Sequence, residues 1–197
     1  IQAGNVRNRG LELTVGYNNK WTDCRWSVNM SYSMNHNRIV RLLDNPNETL
    51  RQGGLNGCEV ILTQGGTMGD LYTFTGFKRN QQGDIQVNAD GQVMQIELPT
   101  PRLVGSVLPK AHLGLNNTFS WKGLECRLLI TARLGGVCVS QTQAFMDSYG
   151  VSQKTATQRD NGGVVVGSQY VPTERYYTVV GGETPIWDEY VYDASNA

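Results

Sequence analysis

The chain has 197 residues, 39% of them hydrophobic, with 17 Lys and Arg balanced by 17 Asp and Glu. That length and apolar content suffice for a sizeable core, and the even charge excludes the basic footprint of a nucleic-acid-binding protein. Twenty-three glycines among abundant Asn, Gln, Ser and Thr favour strands and turns over long helices, and no apolar segment is long enough for a transmembrane helix, which leaves spanning strands open.

The first periodic stretch is LELTVGYN, in which Leu11, Leu13, Val15 and Tyr17 alternate with Glu12, Thr14, Gly16 and Asn18. After a short polar connection comes RWSVNMSYSMN, with Trp26, Val28, Met30, Tyr32 and Met34 on one side and Ser27, Asn29, Ser31, Ser33 and Asn35 on the other. Period-two alternation of this kind is a strand signature, and the two runs predict one antiparallel hairpin within residues 1–36.

Residues 37–109 form a long irregular tract punctuated by Asn45-Pro46, Gly53-Gly54, Gly65-Gly66, Gly83 and Gly91. It is too long for a structureless loop. The segments DLYTFTGFKRN (70–80) and DIQVNADGQVMQIEL (84–98) predict short β pieces of a small excursion that Pro99 and Pro101 end. Asp84, Asn88 and Asp90 before Gly91 offer oxygen ligands, yet lack the register and closing Glu of a calcium loop. A polar turn at Asp90-Gly91 is the better account, and no metal is expected.

A second hairpin is predicted within 110–138. Leu113, Leu115, Phe119 and Trp121 oppose His112, Gly114, Asn116, Thr118 and Ser120, with Asn117 breaking the apolar side once. Past the WKGLE turn, Leu128, Ile130, Ala132 and Leu134 oppose Arg127, Thr131 and Arg133, with Leu129 the exception on the polar side. From 139 to 197 the sequence turns irregular again, with a short helix expected near Gln143 to Tyr149 and Gly-rich loop beyond.

Short turns therefore join the strands at one end and long tracts at the other, the asymmetry of an outer-membrane barrel with tight periplasmic turns and extended extracellular loops. Each run has about the 9 to 11 residues that a spanning strand needs. Tyr17, Trp21, Trp26, Phe119 and Trp121 fall at one level near the tight turns, where a lipid interface favours amphipathic rings. A soluble β-sandwich shows the same alternation with its polar faces in water. Alternation leaves both open; the connection lengths and the aromatic placement favour an all-β, antiparallel transmembrane barrel fragment.

Catalytic chemistry finds no constellation. Cys24, Cys58, Cys126 and Cys138 form no C-x-x-C pair or zinc-like set with His36 and His112, and read as free thiols, with one disulfide left open in an oxidising compartment and the sequence choosing none of the three full pairings. Asp188 and Glu189, if on a strand, point to opposite faces and cannot flank one glycosidic bond. No cofactor and no enzyme activity are expected. Loop aromatics are the better candidates: Tyr72, Phe74 and Phe77 in one tract, and Tyr149, Tyr176, Tyr177, Trp187 and Tyr190 in the other, offer faces for a partner or a sugar ring. Of these, Tyr72, Phe74, Phe77, Tyr149 and Trp187 are the contact candidates, while Asn116, Thr118, Ser120, Arg127 and Arg133 would line a barrel lumen.

The runs NVRNRGLELTVGYNNKW, GDLYTFTGFKRNQQGDIQVNADGQ, GSVLPKAHLGLNNTFSWKG, RLGG, SQTQAFMDSYGVS and YYTVVGG, in this order and spacing, resemble the C-terminal part of SusC/RagA-type TonB-linked outer-membrane proteins. The resemblance implies a large barrel of about 22 strands with an N-terminal plug, in the outer membrane of a Gram-negative bacterium. It implies import of oligosaccharides or peptides together with a SusD-like surface lipoprotein, energised through TonB. The sequence holds no plug-like or TonB-contacting segment, so the resemblance implies a piece of a longer chain. A soluble carbohydrate-binding β-sandwich is the alternative.

Overall fold

A computed structural model describes residues 4–42 and 49–196; the Asn45-Pro46 turn lies outside them. Twelve strands and three α-helices are assigned within those residues. The strands are β1 (Asn5–Lys20), β2 (Cys24–Arg41), β3 (Leu50–Leu55), β4 (Cys58–Leu62), β5 (Asp70–Phe77), β6 (Gln95–Ser106), β7 (Ala111–Trp121), β8 (Leu124–Leu134) and β9 (Val137–Val139). Helices α1 (Gln141–Ser148) and α2 (Gln153–Asp160) precede β10 (Val164–Val166) and β11 (Gln169–Val171), and α3 (Thr173–Val180), a 3-10 turn (Trp187–Tyr190) and β12 (Val191–Asp193) follow.

Two hairpins pair into one antiparallel sheet of order β1-β2-β7-β8. The register sets Val15 opposite Met30, Met30 opposite Leu115 and Leu115 opposite Ile130, so every apolar run lies on the same face. None of the described residues covers that face: Leu13, Val15, Met30 and Leu128 each keep 51% of their surface exposed. A sandwich buries such a face against a second sheet, and this one does not. The exception Asn117 is partnered, since Trp26 Nε1 donates to its Oδ1 at 2.8 Å. An amide on an otherwise apolar surface thereby loses its bare acceptor, and the indole its bare donor.

The tight turns follow from local chemistry. Between β7 and β8 only Lys122 and Gly123 intervene, at φ 46° and φ 88°, the pair of positive angles that a two-residue hairpin of matching twist requires. Near this end Tyr17 and Trp26 pack edge to face at 5.4 Å, and Trp26 stands opposite Phe119. Strands β1 and β2, at 16 and 18 residues, outrun the expected span. Their added length is the polar NVRNRG and HNRIVR, which carries the hairpin beyond the apolar belt toward the long tracts.

The two tracts fold into one body. Its frame is a sheet of order β3-β4-β5-β6, and its core joins Cys58, Leu71 and Val93 of the first tract to Val171, Tyr177, Val180, Ile186, Trp187 and Tyr190 of the second. Ile39 at the end of β2 packs with Leu42 and Leu62 and ties the hairpin to this body. Pro99 and Pro101 do not end the excursion: β6 runs through them to Ser106. Thr73 pairs with Arg102 and Thr75 with Glu97, so residues 98–101 stand against the single residue 74. On an edge strand such a bulge leaves ladder N–H groups unneeded, and proline fits.

The tract from 139 is also more ordered than its glycines suggest. The expected helix is α1, capped by Ser140 Oγ accepting from Gln143 N at 3.1 Å, but α2, α3 and the β10–β11 hairpin accompany it. The 3-10 turn holds Asp188 and Glu189, which are therefore not on a strand; Asp188 is ion-paired with Arg102.

Candidate functional site

The polar face of the barrel sheet is built by the same period-two rule that builds the apolar one. Ser27 stands opposite Thr118, Asn29 opposite Asn116 and Ser33 opposite His112, and on the next strand Ser120, Thr118 and His112 face Glu125, Arg127 and Arg133. Asn116, Thr118, Ser120, Arg127 and Arg133 thus share one face. The rungs are small in the middle: a Cβ at Gly16 would sit 2.6 Å from Asn29 Oδ1 and one at Gly114 2.6 Å from Ser31 Oγ. Polar side chains lie across these glycines, which is why a strand interior tolerates them.

The two arginines do different things. Arg127 is exposed, and its Nε pairs with Glu125 Oε1 at 2.5 Å on its own strand. Arg133 is a strut between sheet and body: Nη2 donates to Val107 O at 2.6 Å and its backbone N–H to Asn196 O at 2.8 Å. Leu129 remains 68% exposed on this polar face.

The aromatic candidates are divided by the pleat of β5. Leu71, Thr73, Thr75 and Phe77 point inward, and Phe77 packs against Tyr176 with ring centroids 6.2 Å apart. Tyr72 and Phe74 alternate to the other side, where Tyr72 Oη lies 3.4 Å from Thr63 Oγ1. Trp187 is 1% exposed and its Nε1 donates to Asn56 O at 2.7 Å, so its ring face is spent on the core. Tyr149, at the C-terminal end of α1, is 80% exposed. The structure therefore does not gather the five into one patch. It leaves Tyr149 open, Tyr72 and Phe74 half-buried on an outer face, Phe77 half-buried against the core and Trp187 inside it.

Around Phe74 lies an open cleft of about 530 Å³, lined by Arg51, Glu59, Gln95, Glu97 and Thr184 among others. Arg51 rests with its guanidinium carbon 4.3 Å above the Phe74 ring while its Nε pairs with Glu59 Oε2 at 2.7 Å. Held on both sides, the guanidinium is ready to donate to a carboxylate, carbonyl or hydroxyl in the cleft. No sequence signal pointed to it, because Arg51, Phe74 and Glu97 meet only through the β3-β4-β5-β6 register.

A second recess of about 630 Å³ opens where body and barrel sheet meet, with Asn35, His36, Lys110, Tyr192 and Asp193 on its walls. Hydrogen bonds from Ser195, followed by the positive charge of Lys110, hold the Asp193 carboxyl below its ordinary range. In the core, burial and then the charge of Glu59 push the Cys58 thiol up to about 11, so it is a packing group rather than a nucleophile. All four cysteines are free thiols. Burial first, and neighbouring acids second, likewise raise the phenols of Tyr176, Tyr177 and Tyr190.

Residues 80–92 hold two asparagine turns, one led by Asn80 and one by Asn88. Asn80 Oδ1 accepts from Asp84 N at 2.8 Å, and Asn88 Oδ1 accepts from Asp90 N at 3.0 Å and Gln92 N at 2.8 Å. Of the three candidate ligands, Asn88 thus turns its amide oxygen to the backbone, and Asp84 Oδ2 accepts from Asn80 Nδ2 at 3.2 Å. Among the described residues no group of three or more His, Cys, Asp or Glu side chains is placed to hold a metal ion, and no helix is long and apolar enough to cross a membrane.

No family model matches the chain. TonB-dependent receptor P3 of Formosa agariphila is 23% identical to it over 175 residues, which is 78% of this chain and 17% of that protein. The fold aligns with the RagAB peptide transporter at TM-score 0.63 and 17% identity, over 98% of this chain and 22% of that one. The RagAB peptide importer in its closed-closed state gives TM-score 0.61, again at 17% identity over 98% and 22%. The chain thus spans about a fifth of the length of the proteins it is similar to. An uncovered apolar face, a small polar face behind it and one body built on the long connections are the architecture of a section of a SusC/RagA-type TonB-dependent outer-membrane transporter, and this chain has that fold.

Proposed function

We propose that the chain contributes barrel strands and surface loops to a TonB-dependent outer-membrane importer of oligosaccharides or peptides that works with a SusD-like surface lipoprotein. The observation that carries this is the four-stranded sheet with an uncovered apolar face on every strand and a small-residue, polar face behind it. Such a sheet is stable only with acyl chains on one side and water on the other. Residues 1–36 and 110–138 are then the membrane hairpins, with Asn116, Thr118, Ser120 and Arg127 lining the lumen and Arg133 bracing its rim. Residues 37–109 and 139–197 are extracellular tracts that present Tyr72, Phe74 and Tyr149 to partner or substrate. Passage is gated by a plug that the parent chain supplies and TonB displaces. This is a transport role, not an enzymatic one.

The test is uptake by cells producing the full parent chain. Labelled oligopeptides and oligosaccharides of matched size are offered to cells with and without TonB, with the chain traced by fractionation. The expected outcome is an outer-membrane chain that needs detergent for extraction and accumulates one of the two labels only when TonB is present. A parent chain soluble in plain buffer, or uptake indifferent to TonB, overturns the reading.

A further inference from the structure

Above the apolar belt, on the same outward face, the β1–β2 hairpin changes character. The register is unbroken from Val6 to Lys20 and places Leu11 opposite Met34, then Arg9 opposite His36, then Arg7 opposite Arg38. Parity puts Arg7, Arg9, His36 and Arg38 on the side of Leu11 and Met34, and all four are exposed. The other side of the same rungs is neutral: Asn8 Oδ1 accepts from Asn37 Nδ2 at 2.8 Å and from Asn35 Nδ2 at 3.2 Å. Among the described residues no carboxylate pairs with Arg7, Arg9 or Arg38. The nearest acid in the strand, Glu12, stands opposite Ser33 on the polar face.

Like charges directly opposed across a strand pair destabilise it. The Arg7–Arg38 rung is of this kind and Arg9 adds a third guanidinium on the next rung, so the hairpin is weakened there unless an anion bridges them. Guanidinium groups recognise phosphate with paired N–H donors, and Arg9 with His36 forms the first rung above Leu11 and Met34, the height at which lipid headgroups begin. We infer that Arg7, Arg9, His36 and Arg38 form a binding site for the phosphate groups of the glycolipid in the outer leaflet. The inference rests on the reading of this sheet as outer-membrane strands with the long tracts outside. The anchored lipid screens the opposed charges and fixes the hairpin where it emerges from the membrane.

The experiment uses the full parent chain in nanodiscs of phosphatidylcholine doped with bis-phosphorylated lipid A, with fully dephosphorylated lipid A, or with inorganic phosphate in the buffer. Bound lipid is counted by native mass spectrometry. The expected result is stable retention of the bis-phosphorylated form alone. Retention should fall roughly a hundredfold in the triple variant Arg7→Gln, Arg9→Gln, Arg38→Gln, from the lost attraction of three cations near an anionic surface, and stay unchanged in Arg127→Gln on the polar face. Should the triple variant not assemble, Arg9→Gln alone is read against Arg9→Lys, which keeps the charge but not the fork. Equal retention in variant and parent overturns the site, as does equal binding of the dephosphorylated lipid or saturation by inorganic phosphate. Loss of a protein partner with lipid retention unchanged reassigns the patch and also overturns it. A chain that never enters the nanodisc instead overturns the membrane reading on which the site rests.

Discussion

Trp187 and Tyr149 are both large aromatics in a Gly- and Ser-rich tract, and their sequence surroundings do not distinguish a core ring from a docking ring. What separates them is what the backbone does next: Ile186 N donates to Val180 O at 2.9 Å, which folds the 3-10 turn under α3 and buries Trp187, whereas Tyr149 terminates α1 in open water. Trp187→Ala is therefore expected to cost the loop body about 3–5 kcal/mol, read as faster hydrogen exchange in α1 and α3 of the full chain. Tyr149→Ala should stay within about 0.5 kcal/mol. A Trp187→Ala protein with unchanged protection would show that the ring is not the keystone of that core.

At the scale of elements, the four strands of the β1-β2-β7-β8 sheet were legible because their apolar runs alternate, broken only at Asn117 and Leu129, and one of the two turns, Lys122-Gly123, is written in the two-residue chemistry of a hairpin. The helices α2 and α3 were not. Each is 8 residues long, too short to show a periodicity against a polar background; α3 is held by contacts with a strand tens of residues away, Tyr176 against Phe77, and α2 packs on α3. The cleft at Phe74 was hidden for the same reason, since β3, β4, β5 and β6 find their register only after folding. The β10–β11 pair was readable in principle: VVVGSQYV sets a Gly167-Ser168 turn between two β-prone triplets. Face polarity along a strand gives the sharpest test. Ile130 is one of the two central positions among the six outward rungs of β8, level with Val15, Met30 and Leu115. Ile130→Lys or Leu115→Lys should destabilise the inserted barrel by roughly 2–4 kcal/mol near mid-membrane. Thr118→Lys, one strand away on the hydrated face, should cost far less. Urea titration of the parent chain refolded into vesicles measures the difference, and equal tolerance on both faces would remove the acyl chains from the picture.

For the molecule as a whole, the sheet ends in two edges, β1 and β8, open among the described residues apart from the Arg133–Asn196 bridge, and further strands of a closed barrel would satisfy them. The body on its long connections is held instead by a protein-like core, and the two parts should answer differently to pH. Tyr176, Tyr177 and Tyr190 keep their protons more tightly in the folded body than in an unfolded chain, where a phenol titrates near 10, about the reference value. A group whose folded pKa is raised contributes stability that is complete below the unfolded value and lost as pH rises through the folded one. The body is therefore expected to stay intact to about pH 10 and then to loosen. Hydrogen exchange should report this first in α1, α3 and the Trp187–Tyr190 turn while the β1-β2-β7-β8 ladder keeps its protection. Tyr190→Phe, which removes one of the three ionisations, should move that alkaline loss to higher pH. Were these three phenols to ionise near 10 with protection in α3 unchanged, burial would not be what holds their protons. The acid side has the opposite sign: Asp193, held low by Ser195, supports the β9–β12 pairing above the ordinary carboxylate range and releases it only as pH falls through its depressed value. Because that carboxylate is solvent-exposed, the acid effect should be confined to fraying at Val191–Asp193, with the core of the body unmoved.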